Sequence, residues 1–268
     1  MPLTSWELQA HNTATQSANK IHDDEVARRF GFGGGLVPGV DVYAYLTHPP
    51  AEAWGRAWLE RGTMLARFSQ PVYDGDVVSV MPVEQYDDSN GAHARLELRD
   101  SSGVVCATAE ASLPSRAVDA PSVELWPDVP QVESPPPASF ATLVAGMAFG
   151  LDRHGFHADR AGEYLDDVRE TLSLYRDERV AHPGWILRDA NYVLSHNVRL
   201  GPWIHVESVA QHHRAVVDGD TVSTRALVSR EWEHKGHRFV TLDVAAVVGD
   251  AVAVRVTHTA IYAPRQVR

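Results

Sequence analysis

The chain has few of the features that mark secreted, membrane or nucleic-acid-binding proteins. Its 268 residues include one cysteine, Cys106, so neither an internal disulfide nor a cysteine-rich zinc site can form. The longest apolar run, near residues 141–150, has about half of the roughly 20 residues that a membrane-spanning helix needs. Lysine and arginine number 24 against 35 acidic residues, and a net charge of −11 argues against binding to nucleic acid or anionic lipid. The N-terminus also lacks the basic and apolar regions of a signal peptide, so we expect a cytoplasmic protein.

Proline is unevenly distributed, and its clustering divides the chain. Seven of the 16 prolines lie between Pro114 and Pro137, a stretch that can sustain neither a helix nor a central strand. We interpret residues 114–138 as an extended linker. It separates an N-terminal unit, residues 1–113, from a C-terminal unit, residues 139–268.

The two units repeat the same landmarks at nearly the same spacing. An Asp-Gly-Asp turn at residues 74–76 recurs at residues 218–220, and the Pro-Gly pair at residues 38–39 recurs at residues 183–184. In each unit a helix opens at the Pro-Gly pair and is followed by strands that alternate between apolar and polar residues. This order predicts a duplicated α+β fold in which each helix lies on an antiparallel sheet. The predicted elements are lead-in segments at 23–30 and 163–175, helices at 40–46 and 185–196, and strands at 77–85, 92–98, 104–113, 205–213, 220–232, 238–248 and 251–262.

One segment near the N-terminus carries residues suited to acid–base chemistry. It contains Asn19 and His22, continues through a glycine-rich stretch at residues 31–35 and ends in Pro38-Gly39. The segment resembles the motif of the MaoC-like dehydratases, also called R-specific enoyl-CoA hydratases, and the resemblance covers most of residues 10–113. It implies a double hotdog fold, in which two tandem units each wrap an antiparallel sheet around a central helix.

The sequence departs from this motif at two positions. The family's catalytic aspartate falls where this chain has Ser17, and Leu165 stands at the C-terminal position that matches His22. The resemblance therefore implies at most one dehydratase-like site, in the N-terminal unit, which lacks one member of its acid–base pair.

The resemblance implies an enzyme of the hydro-lyase type that acts on an acyl thioester. The substrate would be carried by coenzyme A or by carrier phosphopantetheine, with no separate cofactor. It would undergo hydration of a 2-enoyl thioester or dehydration of the 3-hydroxyacyl form. His22 would move protons, Asn19 and Ser17 would orient water or hydroxyl, and the Gly39 N–H would hold the thioester oxygen. We expect no metal site, because the histidine pairs lack carboxylates at matching spacing. Candidate linings of an acyl tunnel are Trp185, Tyr192 and Trp203.

Two other functions stay open at this point. Asp41 follows Gly39 closely and would suit a hotdog thioesterase, in which it attacks the thioester or activates water, although an acid there also simply stabilises a helix start. The serine at position 17 instead favours a non-catalytic protein that binds acyl thioesters, in which His22 has no chemical role. An acyl thioester is the expected partner in each case. An acyl carrier protein and a second copy of the chain are further candidate partners.

Overall fold

The computed structural model describes residues 2–265; residue 1 and residues 266–268, which are the predicted outer ends of the two units, lie outside the described residues. The described residues form one antiparallel sheet of eleven strands with helices packed against it. In chain order the first elements are β1 (Trp6–Gln9), α1 (Asp24–Arg29), α2 (Gly39–Arg61), β2 (Thr63–Phe68), β3 (Val77–Asp88), β4 (Gly91–Asp100) and β5 (Val105–Pro114).

The C-terminal unit repeats this plan after the proline-rich stretch. Its elements are β6 (Ala148–Gly150), β7 (His154–Gly155), α3 (Ala161–Asp167), α4 (Leu174–Asp177), α5 (Pro183–Asn197), β8 (Ile204–His212), β9 (Thr221–His234), β10 (His237–Val248) and β11 (Ala251–Ala263). Short 3₁₀-helices occur at Lys20–His22, Val123–Leu125 and Ala158–Arg160.

The two units share the sheet through one strand pair. The strand order is β1-β3-β4-β5-β2-β8-β11-β10-β9-β6, with β7 also paired to β9, so the units meet at β2 and β8. The register there places Thr63 opposite Gln211 and Arg67 opposite Glu207. Helix α2 packs on β2 to β5 and on β8, helix α5 packs on β6 and β9 to β11, and the two helices contact each other. This is the α+β double hotdog architecture that the resemblance implied.

Helix α2 extends well beyond the predicted residues 40–46. All residues from 40 to 51 are buried, because the sheet and α5 surround the helix. The helix passes through Pro49 and Pro50 and then kinks at Gly55. Proline in a sequence predicts the end of a helix, because it removes a backbone donor. Here the helix continues through both prolines because it is buried on all sides.

Three other features add detail to the predicted elements. The C-terminal lead-in, predicted as irregular or helical at 163–175, includes two short helices, α3 and α4. The strands β1, β2, β6 and β7 have no counterpart among the predicted elements. The proline-rich stretch after β5 packs on the C-terminal unit: its Trp126 is buried against Ala245, Val247 and Val252, and the indole N–H donates to the carbonyl of Asp243 at 3.0 Å. No helix among the described residues is long and apolar enough to cross a membrane.

Candidate active site

A cavity of about 540 Å³ lies where α2 and α5 approach the loop before α1. Four of the residues singled out from the sequence line it: Ser17, Asn19, His22 and Asp41. The C-terminal unit contributes the opposite wall, which includes Arg188, Asn191, Tyr192, His196 and Trp203. The cavity therefore lies between the two units and is lined by both.

A second, mainly apolar cavity of about 230 Å³ adjoins the first. Gly39 lines this one rather than the polar cavity, together with the apolar side chains Ile21, Leu36, Val42, Phe68, Val72 and Ile204. Asn19, His22, Asn191 and Trp203 line both cavities. His22 thus stands where a polar and an apolar chamber meet.

Asn19 ties the N-terminal unit to the C-terminal unit. Its side-chain Nδ2 donates to the carbonyl of Trp203 at 2.9 Å, and its Oδ1 accepts from the backbone N–H of Trp203 at 3.1 Å. Oδ1 also accepts from the backbone N–H of Ile21 at 3.3 Å, which caps the short 3₁₀-helix that ends at His22. Because a backbone donor and a backbone acceptor fix the two ends of the amide, its orientation is determined.

The orientation of Asn19 in turn fixes the hydrogen positions on His22. The Nδ1 of His22 lies 2.7 Å from the carbonyl of Leu36, so Nδ1 carries the hydrogen and donates. The Nε2 lies 3.3 Å from the Nδ2 of Asn19 and carries the lone pair, which accepts a long hydrogen bond from that amide. Burial lowers the pKa of His22 below its ordinary value, against the opposing effects of the Leu36 contact and the charge of Asp41. His22 is therefore a neutral imidazole whose Nε2 can accept a proton near neutral pH.

Gly39 begins α2 and leaves the helix N-terminus open. Its N-cap residue, Pro38, provides no capping side chain, and among the described residues no side chain accepts from the backbone N–H of Gly39 or Val40. A Cβ at position 39 would lie 2.8 Å from the Nδ1 of His205, so only glycine fits this close approach. Free N–H groups at a helix N-terminus suit an oxygen that gains negative charge.

Ser17 lies in the cavity wall and has a local structural role. Its Oγ accepts from the backbone N–H of Asn19 at 3.1 Å, which shapes the turn before His22. The hydroxyl hydrogen is still available to a water or substrate oxygen in the cavity.

Asp41 is completely buried and both of its carboxylate oxygens are engaged. One accepts from the hydroxyl of Thr13 at 2.5 Å, and the other accepts from Arg188 on α5 at 2.9 and 3.2 Å. The Arg188 guanidinium also lies over the ring of Tyr164 at 4.4 Å. A carboxylate held in this way is a poor nucleophile, and its evident contribution is an ion pair between the two central helices.

Sequence reasoning did not identify several of the residues that complete the site. Arg188, Asn191 and His205 come from the C-terminal unit, and they reach the site only through the contact between units. Trp203 and Tyr192 were named as candidate linings and do line the cavities, whereas Trp185 lines a neighbouring pocket beside His154. The signal that could have pointed to Arg188 is its charge on the helix that begins at the repeated Pro-Gly pair.

Solved structures show where this architecture occurs elsewhere. A MaoC-like dehydratase matches with a TM-score of 0.62 at 13% sequence identity, over 97% of this chain and 98% of that one. A conserved hypothetical protein from Mycobacterium tuberculosis with a double hotdog fold gives 0.66 at 14% identity, over 97% and 96%. An acyl-ACP thioesterase from Bacteroides thetaiotaomicron gives 0.50 at 10% identity, over 96% and 97%.

These likenesses confirm the double hotdog fold and the resemblance to MaoC-like dehydratases at the level of the fold. No protein-family model matches the sequence, and no curated protein matches it. Dehydratases and thioesterases both occur on this architecture, so the choice between those reactions depends on the site.

The buried ion pair between α2 and α5 yields a stability prediction. Replacing Arg188 by methionine leaves the Asp41 carboxylate buried without its cation, and we expect a loss of about 3–5 kcal/mol in the free energy of unfolding. The double variant Arg188→Met/Asp41→Leu should recover most of this loss, because both charges are then removed. Urea unfolding followed by circular dichroism measures both changes.

A matched control is the exposed ion pair between Arg67 and Glu207, which also joins the two units. Arg67→Met should change the free energy of unfolding by about 1 kcal/mol or less, because solvent screens that pair. A loss as small for Arg188→Met as for Arg67→Met would contradict the role given to Asp41.

Proposed function

We propose that the protein is an enzyme that catalyses the reversible hydration of a 2-enoyl thioester, or equally the dehydration of a 3-hydroxyacyl thioester, with His22 as its proton-transferring residue. The observation that carries the proposal is the state of His22: a neutral imidazole whose Nε2 carries a lone pair, bound only by the long contact with Asn19 reported above, at the junction of a polar and an apolar cavity. An acyl thioester has the same division, with a polar carrier arm on one side of the carbonyl and an apolar chain on the other.

The two cavities suggest how the substrate lies. The acyl chain occupies the apolar cavity, and the carrier arm leaves through the polar cavity. The thioester oxygen points to the N–H of Gly39 at the open N-terminus of α2. In this arrangement the α- and β-carbons lie beside His22, which lines both cavities.

One imidazole suffices for the proton transfers of hydration. The Nε2 of His22 takes a proton from water while the water oxygen bonds to the β-carbon. The electron pair of the carbon–carbon double bond moves toward the carbonyl, and the resulting enolate oxygen is stabilised by the Gly39 N–H. The imidazolium then returns the same proton to the α-carbon, so the residue ends in its starting state. Dehydration follows the same steps in reverse.

The roles of Asn19 and Ser17 follow from their contacts. Both ends of the Asn19 amide already bond to the backbone of Trp203, so Asn19 acts mainly by orienting His22. The Ser17 hydroxyl can orient the attacking water, but it does not replace a carboxylate as an acid or base. The proposal requires no separate metal or cofactor, because coenzyme A or phosphopantetheine belongs to the substrate. A carrier protein remains a candidate partner.

The thioesterase alternative has less support from the geometry. Asp41, which would act as nucleophile or base, has one oxygen bound to Thr13 and the other paired with Arg188. The binding-protein alternative requires His22 to be idle, whereas His22 is a neutral imidazole that lines both cavities.

The first prediction of the proposal concerns His22 itself. Purified protein should consume crotonyl-CoA or a longer enoyl-CoA, followed by absorbance of the conjugated thioester. His22→Ala should lower kcat/KM by about 10²–10⁴-fold, because general acid–base catalysis is lost. The control is His93→Ala on β4, a histidine that lines neither cavity, which should retain the wild-type rate.

The same protein preparations separate the alternatives. Release of free thiol from acyl-CoA that is lost in Asp41→Asn but kept in His22→Ala would favour the thioesterase. Tight binding of acyl-CoA without consumption of any enoyl-CoA or carrier-bound enoyl chain would favour the binding protein.

A second prediction concerns pH. Only the neutral imidazole accepts a proton, and burial lowers the pKa of His22 below its ordinary 6.5. The value of kcat/KM for hydration should therefore be constant around neutral pH and fall as the pH drops through a midpoint below 6.5. The midpoint should coincide with the pKa of His22 measured by NMR titration. A midpoint well above 6.5 would show that another group limits the reaction.

A third prediction tests whether the rest of the site is intact. Ser17→Asp places a carboxylate in the cavity wall, where it can accept the same hydrogen bond from the Asn19 N–H. We expect at least about a tenfold increase in the hydration rate, because a second acid–base group is then present. Ser195→Asp, also in the cavity wall but on α5, is the control and should give no increase. An equal increase in both variants would mean that charge alone, rather than the position of Ser17, is responsible.

A further inference from the structure

Three buried side chains of the C-terminal unit form a hydrogen-bonded chain next to the site. The Nε2 of His205 lies 2.8 Å from the Oγ of Ser208, and that Oγ lies 3.0 Å from the Nδ1 of His258. His205 and Ser208 are on β8, and His258 is on β11. At the two ends of the chain, the Nδ1 of His205 and the Nε2 of His258 have no partner among the described residues.

His205 lies directly beside the open N-terminus of α2. Its ring lines the apolar cavity together with Gly39 and His22, and the ring centre is 4.6 Å from that of Phe68. The space that a Cβ at position 39 would take is 2.8 Å from the Nδ1 of His205. The His205 ring therefore packs directly against the Gly39 backbone, and its unpartnered Nδ1 lies beside the residue that begins α2.

Both imidazoles of the chain are neutral. Burial lowers the pKa of His205 well below its ordinary value, to which the nearby His258 adds, and burial lowers the pKa of His258 to about 3. Each ring therefore carries one hydrogen, and the Ser208 hydroxyl can donate to either ring while it accepts from the other. When His258 donates to Ser208 and Ser208 donates to His205, the remaining hydrogen lies on the Nδ1 of His205.

Buried polar groups are nearly always hydrogen-bonded. The unpartnered Nδ1 of His205 therefore indicates that a bound ligand supplies its hydrogen-bond partner. We propose that the Nδ1–H of His205 is a second hydrogen-bond donor to the thioester oxygen, beside the N–H of Gly39. A neutral imidazole next to a helix N-terminus can polarise a carbonyl without carrying a charge. The two donors would together hold the enolate oxygen that forms during hydration. The inference rests on the proposed function in taking an acyl thioester as the ligand.

The test compares two ligands that differ only at the carbonyl. Butyryl-CoA is a saturated thioester that cannot be hydrated, and butyl-CoA is its thioether, in which a methylene replaces the carbonyl. Isothermal titration calorimetry should show that wild-type protein prefers butyryl-CoA. In His205→Leu the affinity for butyryl-CoA should fall about tenfold or more, while the affinity for butyl-CoA stays the same. His205→Asn should keep the preference, because its amide N–H can stand near the position of Nδ1.

His212→Leu is the matched control. His212 is a second buried histidine on β8, with an unpartnered Nε2, but it packs against Trp58 and lines neither cavity. Its loss should leave the preference for the carbonyl unchanged. Should His205→Leu fail to fold, Ser208→Ala keeps the ring and breaks the chain, and it should reduce the same preference.

The outcomes separate this inference from the proposed function. An equal loss of affinity for both ligands in His205→Leu would overturn the inference, because His205 would then only fill space. An unchanged carbonyl preference in both His205→Leu and Ser208→Ala would overturn it too, because the partner of Nδ1 would then be water. A carbonyl preference that depends on His205, in a protein without hydratase activity, would support the inference and refute the proposed reaction.

Discussion

The pairing of β2 with β8 is the interaction on which the site depends. It joins the two half-sheets into one. Its register fixes the position of the C-terminal unit along the strand direction relative to the N-terminal unit. Trp203 precedes β8, and His205 lies near its start, so the same register brings the Trp203 backbone to Asn19 and the His205 ring to Gly39. A slip by one residue would turn the β8 side chains to the opposite face and remove His205 from the site.

Contacts between units then determine the protonation chemistry inside the N-terminal unit. The backbone of Trp203 fixes the Asn19 amide, and the amide donates a long hydrogen bond to the lone pair on the Nε2 of His22. On the other side of the cavity, Arg188 neutralises Asp41. Without that cation a buried carboxylate near His22 would favour the protonated imidazole. Burial lowers the pKa of His22 and outweighs the opposing charge of Asp41, while the contacts between the two halves orient Asn19 and pair Asp41 with a cation.

The sequence predicts much of the fold because its signals are local. Alternating apolar residues predict seven of the strands, and the Pro-Gly pairs predict where both central helices begin. The resemblance identifies Asn19 and His22 through residues that are close in the chain. The length of α2 beyond Pro49 and the partners Arg188 and Trp203 are not local properties. They depend on contacts such as Arg67 with Glu207, 140 residues apart, which no short pattern contains.

The duplicated helix start shows why one unit would hold the site. In the N-terminal unit the first turn of α2 has no capping side chain, and glycine faces His205 and a cavity. In the C-terminal unit the His182 side chain accepts from the Gly184 N–H at 3.0 Å, and a side chain at position 184 would collide with the Tyr164 hydroxyl. At the repeated Pro-Gly pair, the glycine N–H is therefore open in the N-terminal unit. In the C-terminal unit the glycine N–H is capped, and the space beside the glycine is filled. Where His22 would recur, the buried Leu165 packs in the core instead, so the second helix start has lost both its free donor and its base.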